Sequence, residues 1–201
     1  MDVTSLAAHT ARYLELAAAA LAAGVLLGAP LGICAAQFRA ARTPVLVFAN
    51  AGRVIPSLAL LTFMIPLFGF GFVPALAALS LLALAPVAIT TDVALRGVPP
   101  AAIDAARGMG MTAAQVFVRV QWPLAMPVIF SGVRTAATEV IASAVLASFI
   151  GAGGLGDDIQ SGLQADLPAR LWSAVVAIAL IALLAEWTFS QAERFTGARR
   201  A

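Results

Sequence analysis

Long uncharged runs separated by short polar segments set the pattern of this chain. Leu16 to Phe38 is 23 residues without a charge, bounded by Glu15 and Arg39. A membrane-crossing helix needs about 20 apolar residues, so a first span is predicted over 16–38. A cleaved leader has a basic start and a shorter apolar core. Asp2 precedes this run and the run is long, so it reads as an uncleaved span. Further runs predict spans over 44–67, 72–91, 124–149 and 171–189. The turn signal Phe68-Gly69-Phe70-Gly71, followed by Pro74, separates the second from the third. Residues 151–170 form a glycine-rich, acidic connection before the last span. The fold class that follows is an all-α membrane protein, one transmembrane domain over 1–201 with five helices. No internal repeat is evident.

Composition agrees. Of 201 residues, 62% are hydrophobic and 11% charged, with mean hydropathy +0.97. A soluble domain carries about 25% charged residues. The net charge of +2 is too small to indicate nucleic acid. All twelve basic residues are arginine. A phosphate-binding P-loop requires a lysine, so the chain is not expected to hydrolyse ATP or to act as an enzyme. One cysteine, Cys34, and one histidine, His9, leave no expected metal cluster.

Charge distribution sets an expected orientation. Five spans alternate sides. Arg39, Arg42, Arg96, Arg107, Arg119, Arg194, Arg199 and Arg200 fall on one side, and only Arg12 and Arg170 on the other. Arginine-rich loops stay cytoplasmic. The N-terminus is therefore expected outside, the C-terminus inside, and the 96–123 segment in the cytoplasm.

That segment, residues 99–123, reads PPAAIDAARGMGMTAAQVFVRVQWP. Pro99-Pro100 suits a helix start, and Gly108 and Gly110 offer a left-handed stop. Thr112 with Gln115 is a capping-box pattern opening a second helix, which Pro123 is expected to close. The prediction is two short helices around a glycine turn.

This segment resembles the EAA loop of ABC-importer permease subunits, whose pattern is EAAxxxG, nine residues, then IxLP. Asp104, Ala105 and Ala106 stand at the EAA place, with Arg107 and Gly108 leading to Gly110 at the glycine. Val120, Trp122 and Pro123 stand at the I, L and P places. The spacing is kept, and Trp for Leu is the clearest departure. Residues 56–61 (PSLALL), 105–112 (AARGMGMT), 132–136 (GVRTA) and 150–156 (IGAGGLG) are similar to the osmoprotectant group for glycine betaine, carnitine and choline. Methionine-importer permeases are a near relative.

The resemblance implies a type I ABC-importer permease fold in a bacterial inner membrane. It also implies a second permease subunit, as homodimer or heterodimer, and a separate ATPase that uses ATP-Mg. A periplasmic or extracellular substrate-binding protein is implied too; 201 residues leave it expected as a separate chain. Membrane lipid is the remaining partner, and no cofactor is expected in this chain. The implied role of the 104–123 residues is docking to the ATPase, with Asp104 pinning the knob to an arginine.

Arg53, Arg134 and Glu139 interrupt apolar spans. Each costs about 2.5–3.5 kcal/mol at a helix centre, so each should face protein or water, as a path or gate residue or as an interhelical tie. Arg134 and Glu139 lie about 140° apart on a helix and should not pair. Asn50 and Ser57 read as helix-packing contacts, with a place along the path or gate as the alternative. Residues 151–156 (GAGGLG) lack a basic partner and read as an external turn or a seat for the binding protein. Asp157, Asp158 and Asp166 read as a solvated face. Competing classes are a secondary transporter, which usually shows inverted repeats, and a membrane-embedded enzyme.

Overall fold

The computed structural model describes residues 3–198, and all regular structure among them is helical. Asp2, Arg199 and Arg200 lie outside the described residues, as does the Arg194 side chain. The order is α1 (Val3–Gln37), α2 (Arg39–Val54), α3 (Ser57–Phe68), α4 (Phe72–Arg96), α5 (Pro100–Gly108), α6 (Ala113–Val116), a π turn (Phe117–Gln121) and α7 (Trp122–Ala144). A 3-10 turn (Val145–Ile150), α8 (Leu155–Gln164) and α9 (Pro168–Ala198) complete it. Four helical stretches are long and apolar enough to cross a membrane, and α2 with α3 makes a fifth as a bent pair.

Helix α4 is the axis of the bundle. Two thirds of its most apolar window (67%) is buried, whereas α9 buries 6% of its own. A helix apolar all round belongs either in the core or against lipid, and these two take the two options. Along α1, Gly24, Gly28 and Gly32 recur every four residues and so share one face. They press on α4. A Cβ at Gly28 would meet Leu84 O at 2.8 Å and Val87 Cβ at 3.0 Å; Gly24 meets Ala83, and Gly32 meets Ala88 and Thr91. Lipid gives no hydrophobic drive between helices, so association depends on close packing, which small residues permit. Gly132 on α7 similarly faces Thr90 of α4.

The expected second span is not one straight helix. It breaks at Ile55-Pro56, and its halves bend by 104°. Pro56 lacks an N–H and crowds the preceding residue into extended backbone. Ile55 accordingly has φ −74° and ψ 125°. The pair still joins the two ends of the bundle. Arg42 near the start of α2 bonds Asp92 near the end of α4. The turn after α3 leads directly into α4, whose 25 residues span roughly 37 Å.

Two further expectations change. Pro123 does not end a helix: α6, the π turn and α7 run on, forming with the 3-10 turn one continuous apolar stretch, Ala113–Ile150. Proline inside a helix removes one backbone bond and crowds the carbonyl four residues back, and the widened π turn Phe117–Gln121 lies on the turn just before Pro123. The acidic connection contains α8 and is not a solvated face throughout. Asp166 is exposed, but Asp158 is 1% exposed. Its Oδ2 meets His9 Nδ1 at 2.7 Å, and Arg170 donates to its Oδ1 at 2.8–2.9 Å. This clasp ties α8 to the start of α1 and the start of α9. Burial pushes the adjacent Asp157 carboxyl above its usual range, against the opposing pull of His9.

Candidate functional site

The 99–123 segment builds a rigid projection at the arginine-rich end of the bundle. Pro99 caps α5 and Pro100 occupies its first turn. The helix ends in a Schellman arrangement: Gly110 N donates to Arg107 O at 2.9 Å and Met111 N to Ala106 O at 3.2 Å. That closure places Gly110 at φ +81°, a conformation glycine adopts without a β-carbon penalty. Gly108 is still within α5, so Gly110 alone supplies the reversal. Thr112 then opens α6 with both halves of a capping box. Thr112 Oγ1 accepts from Gln115 N at 3.4 Å, and Thr112 N donates to Gln115 Oε1 at 2.8 Å.

The projection is anchored from beneath. Ala94, Leu95, Val98, Ala125 and Ile129 form a small core to which Ile103, Phe117 and Trp122 add. Trp122, at the position where the family pattern has leucine, lies with its ring centroid 6.1 Å from that of Phe117. Ala106 is buried, while Asp104, Ala105, Arg107, Gly108 and Gly110 are exposed; Val120 is half-buried and Pro123 exposed. Asp104 makes no ion pair among the described residues, so the expected pin to an arginine of this chain is not formed. Its carboxylate and Met109, 71% exposed, project outward with the glycine turn. Thr112→Ala is expected to cost about 1 kcal/mol of local helix stability, read as faster amide exchange at residues 113–116.

The charges inside the spans find partners across helices. Arg134 on α7 donates to both Glu186 and Glu193 of α9, the second at 3.2 Å. Arg53 near the end of α2 donates to Glu139 Oε1 of α7 at 2.8 Å. Arg134 and Glu139 do not pair with each other. Asn50 and Ser57 do not make the expected interhelical contacts: Asn50 is exposed and donates to Leu46 O of its own helix, and Ser57 makes no side-chain hydrogen bond.

Residues 28–194 match the family described as "Binding-protein-dependent transport system inner membrane component". The chain belongs to this family and is a permease subunit of an ABC importer. The choline transport system permease protein OpuBB of Bacillus subtilis is 36% identical over 185 residues, covering 92% of this permease and 85% of that protein. The glycine betaine/carnitine/choline permease protein OpuCB of the same species is 35% identical over 185 residues, with the same coverage. Among solved structures, an inward-facing MetNI methionine ABC transporter chain superposes with a TM-score of 0.84 at 23% identity, covering 98% of the permease and 99% of that chain. That likeness concerns the fold.

Sequence reasoning on the permease missed the glycine seam of α1 and the His9–Asp158–Arg170 clasp. The four-residue spacing of Gly24, Gly28 and Gly32 was a readable signal for the first. The clasp joins residues 149 apart in sequence, and no local pattern announces it.

Proposed function

We propose that the α5–α6 projection docks in a groove of a separate ATPase subunit and carries its motion into the spans. The observation that carries this reading is the continuity from Thr112 to Ile150: the capped start of α6 runs through the π turn into a membrane-crossing helix without a flexible joint. A push on the Gly110 turn is thereby delivered to α7 as a rigid displacement. Two permease subunits would pack to form the path, with a substrate-binding protein delivering solute to the end that holds α8.

The cargo class we infer is a small quaternary-ammonium osmoprotectant such as glycine betaine, choline or carnitine. Support comes from the relatives whose names carry these solutes, at 35–36% identity over nearly the whole chain. Aromatic cages recognise such cations, and that selection is assigned to the binding protein. Co-purification with the neighbouring ATPase, followed by ATP-dependent uptake of radiolabelled glycine betaine and choline into proteoliposomes, tests both parts. Uptake of methionine in place of these solutes would redirect the cargo assignment while leaving the coupling assignment in place.

The orientation we infer has the N-terminus outside and the projection in the cytoplasm. The arginine-rich loops support it, because Arg39, Arg42, Arg96, Arg107 and Arg119 gather at one end of the bundle, around α5. In a Cys34→Ala background, a cysteine at position 104 is expected to react with a membrane-impermeant maleimide only after the inner membrane is opened. Reaction in cells with only the outer barrier opened would overturn the orientation.

A further inference from the structure

One pair of opposite charges, Arg53 and Glu139, joins α2 to α7 within the apolar stretches and away from the 99–123 projection. Arg53 stands in the last turn of α2 and Glu139 inside α7. Their side chains keep 42% and 28% exposure. Facing acyl chains, each charge would cost about 2.5–3.5 kcal/mol, so this face opens onto protein or water. The other intramembrane arginine is different in kind. Arg134 is held by two carboxylates and straps α9 to α7. Between Arg53 and Glu139 there is one hydrogen bond, and Glu139 Oε2 is shielded from solvent with no partner.

The neighbourhood is polarised in the same sense as the pair. Arg53 lies three residues before Pro56, where α2 and α3 bend by 104°. α3 begins at Ser57 with no side chain capping it, so the N–H groups of its first turn retain their partial positive charge. Broken helices in transporters place such ends beside the charged groups of solutes.

We propose that Arg53 and Glu139 form a station on the translocation path for solutes bearing both a quaternary ammonium and a carboxylate. The inference rests on the cargo class inferred above. The solute carboxylate takes the place of Glu139 on the Arg53 guanidinium. A trimethylammonium group has no N–H to donate, so it needs charge without a hydrogen bond, and the Glu139 carboxylate, part-exposed and released from Arg53, supplies it. The pair reforms behind the departing solute, which spares the empty path an uncompensated charge.

The test uses the permease assembled with its ATPase and binding protein in proteoliposomes. Glycine betaine and choline share the trimethylammonium group, but choline has no carboxylate. Loss of a hydrogen bond to a charged group corresponds to about a tenfold effect. Glu139→Gln is expected to slow uptake of both solutes by about tenfold or more, because it removes the negative charge that faces the trimethylammonium group. Arg53→Gln is expected to slow glycine betaine by about tenfold while choline stays within about threefold. The reversed pair, Arg53→Glu with Glu139→Arg, should assemble with the ATPase yet leave uptake low, because its polarity opposes the solute and the α2–α3 break. Restoration of uptake by the reversed pair, or equal slowing of both solutes by Arg53→Gln, would make the pair a structural tie and overturn the proposal. Should a glutamine variant fail to assemble, Arg53→Lys and Glu139→Asp carry the same comparison. If the wild type moves only one of the two solutes, the reversed pair decides. A wild type that moves neither, while remaining active on another solute, removes the cargo class and the proposal with it; a wild type that moves them with no discrimination among variants removes the proposal alone.

Discussion

Gly110→Asp is expected to reduce ATP-driven uptake by about tenfold or more while the subunit still inserts and assembles its own bundle. The residue sits at φ +81° at the close of α5, where a β-carbon costs about 1–2 kcal/mol. Among the described residues nothing lies within 4 Å of a Cβ placed there, so the bundle itself meets no clash. The added carboxylate instead occupies the tip of the projection, where the ATPase is inferred to close over it. A shift of 1–2 kcal/mol in that contact equals about a tenfold change in association. Substrate-stimulated hydrolysis and co-purification with the ATPase should fall together with uptake. Gly110→Asn is the informative control, since asparagine has nearly the shape and backbone tolerance of aspartate without its charge; it should retain more coupling than the aspartate. Asp104→Glu is expected to be nearly silent, because the longer carboxylate matches the usual motif, and Asp104→Lys should impair coupling by reversing an exposed charge. Uptake, hydrolysis and association all at wild-type levels in Gly110→Asp would reduce the projection to a structural turn.

Gly28→Leu is expected to destabilise the folded subunit by about 3 kcal/mol, the largest stability effect among single changes considered. The first atom of the new side chain meets the Leu84 carbonyl oxygen at 2.8 Å and Val87 Cβ at 3.0 Å. Both belong to α4, the most buried of the spanning helices, and a backbone carbonyl in a helix does not swing aside as a side-chain tip does. Helices α1 and α4 must separate, and the loss propagates because the main core takes Leu16, Ala17 and Ala20 from α1 together with Ala78, Leu79 and Ala83 from α4. Thermal unfolding in detergent, read by size-exclusion monodispersity after heating, should show a clear drop. Gly52→Ala is the contrast: its nearest contact is 3.3 Å, and its unfolding temperature should stay near wild type. Equal stability of the two variants would mean the α1–α4 seam is not a tight contact in the membrane.

The spans were legible in the linear chain because lipid imposes a one-dimensional rule. A stretch that crosses must be predominantly apolar over about 20 residues, and the runs beginning near 16, 44, 72, 124 and 171 meet that rule even with Arg53, Arg134, Glu139 and Glu186 inside them. The 99–123 projection was legible for a related reason: Pro99-Pro100, Gly110 and the Thr112–Gln115 box act within a few residues, through backbone angles and local hydrogen bonds. The helix ends shifted where tertiary contacts extended them. Pro123 was misread as a stop because a proline that ends a helix and one that a preceding π turn accommodates look alike in sequence. Asp158 was misread because acidic residues near glycines resemble a loop surface until His9 and Arg170 arrive from other helices.

What the sequence determined by itself, then, is the membrane class, five apolar runs, the asymmetry of arginine between their ends and the form of the 99–123 projection. Each depends on interactions within about one helical turn or on the solvent each residue meets. The tertiary structure alone decided that α1 and α4 close through three glycines, that Ile55-Pro56 becomes a sharp bend, and that Arg53 meets Glu139 while Arg134 meets α9. Those outcomes depend on which helix face meets which. With nothing but packing and electrostatics to bring helices together in lipid, that choice is fixed by shape and charge at residues dozens of positions apart, which no local pattern encodes.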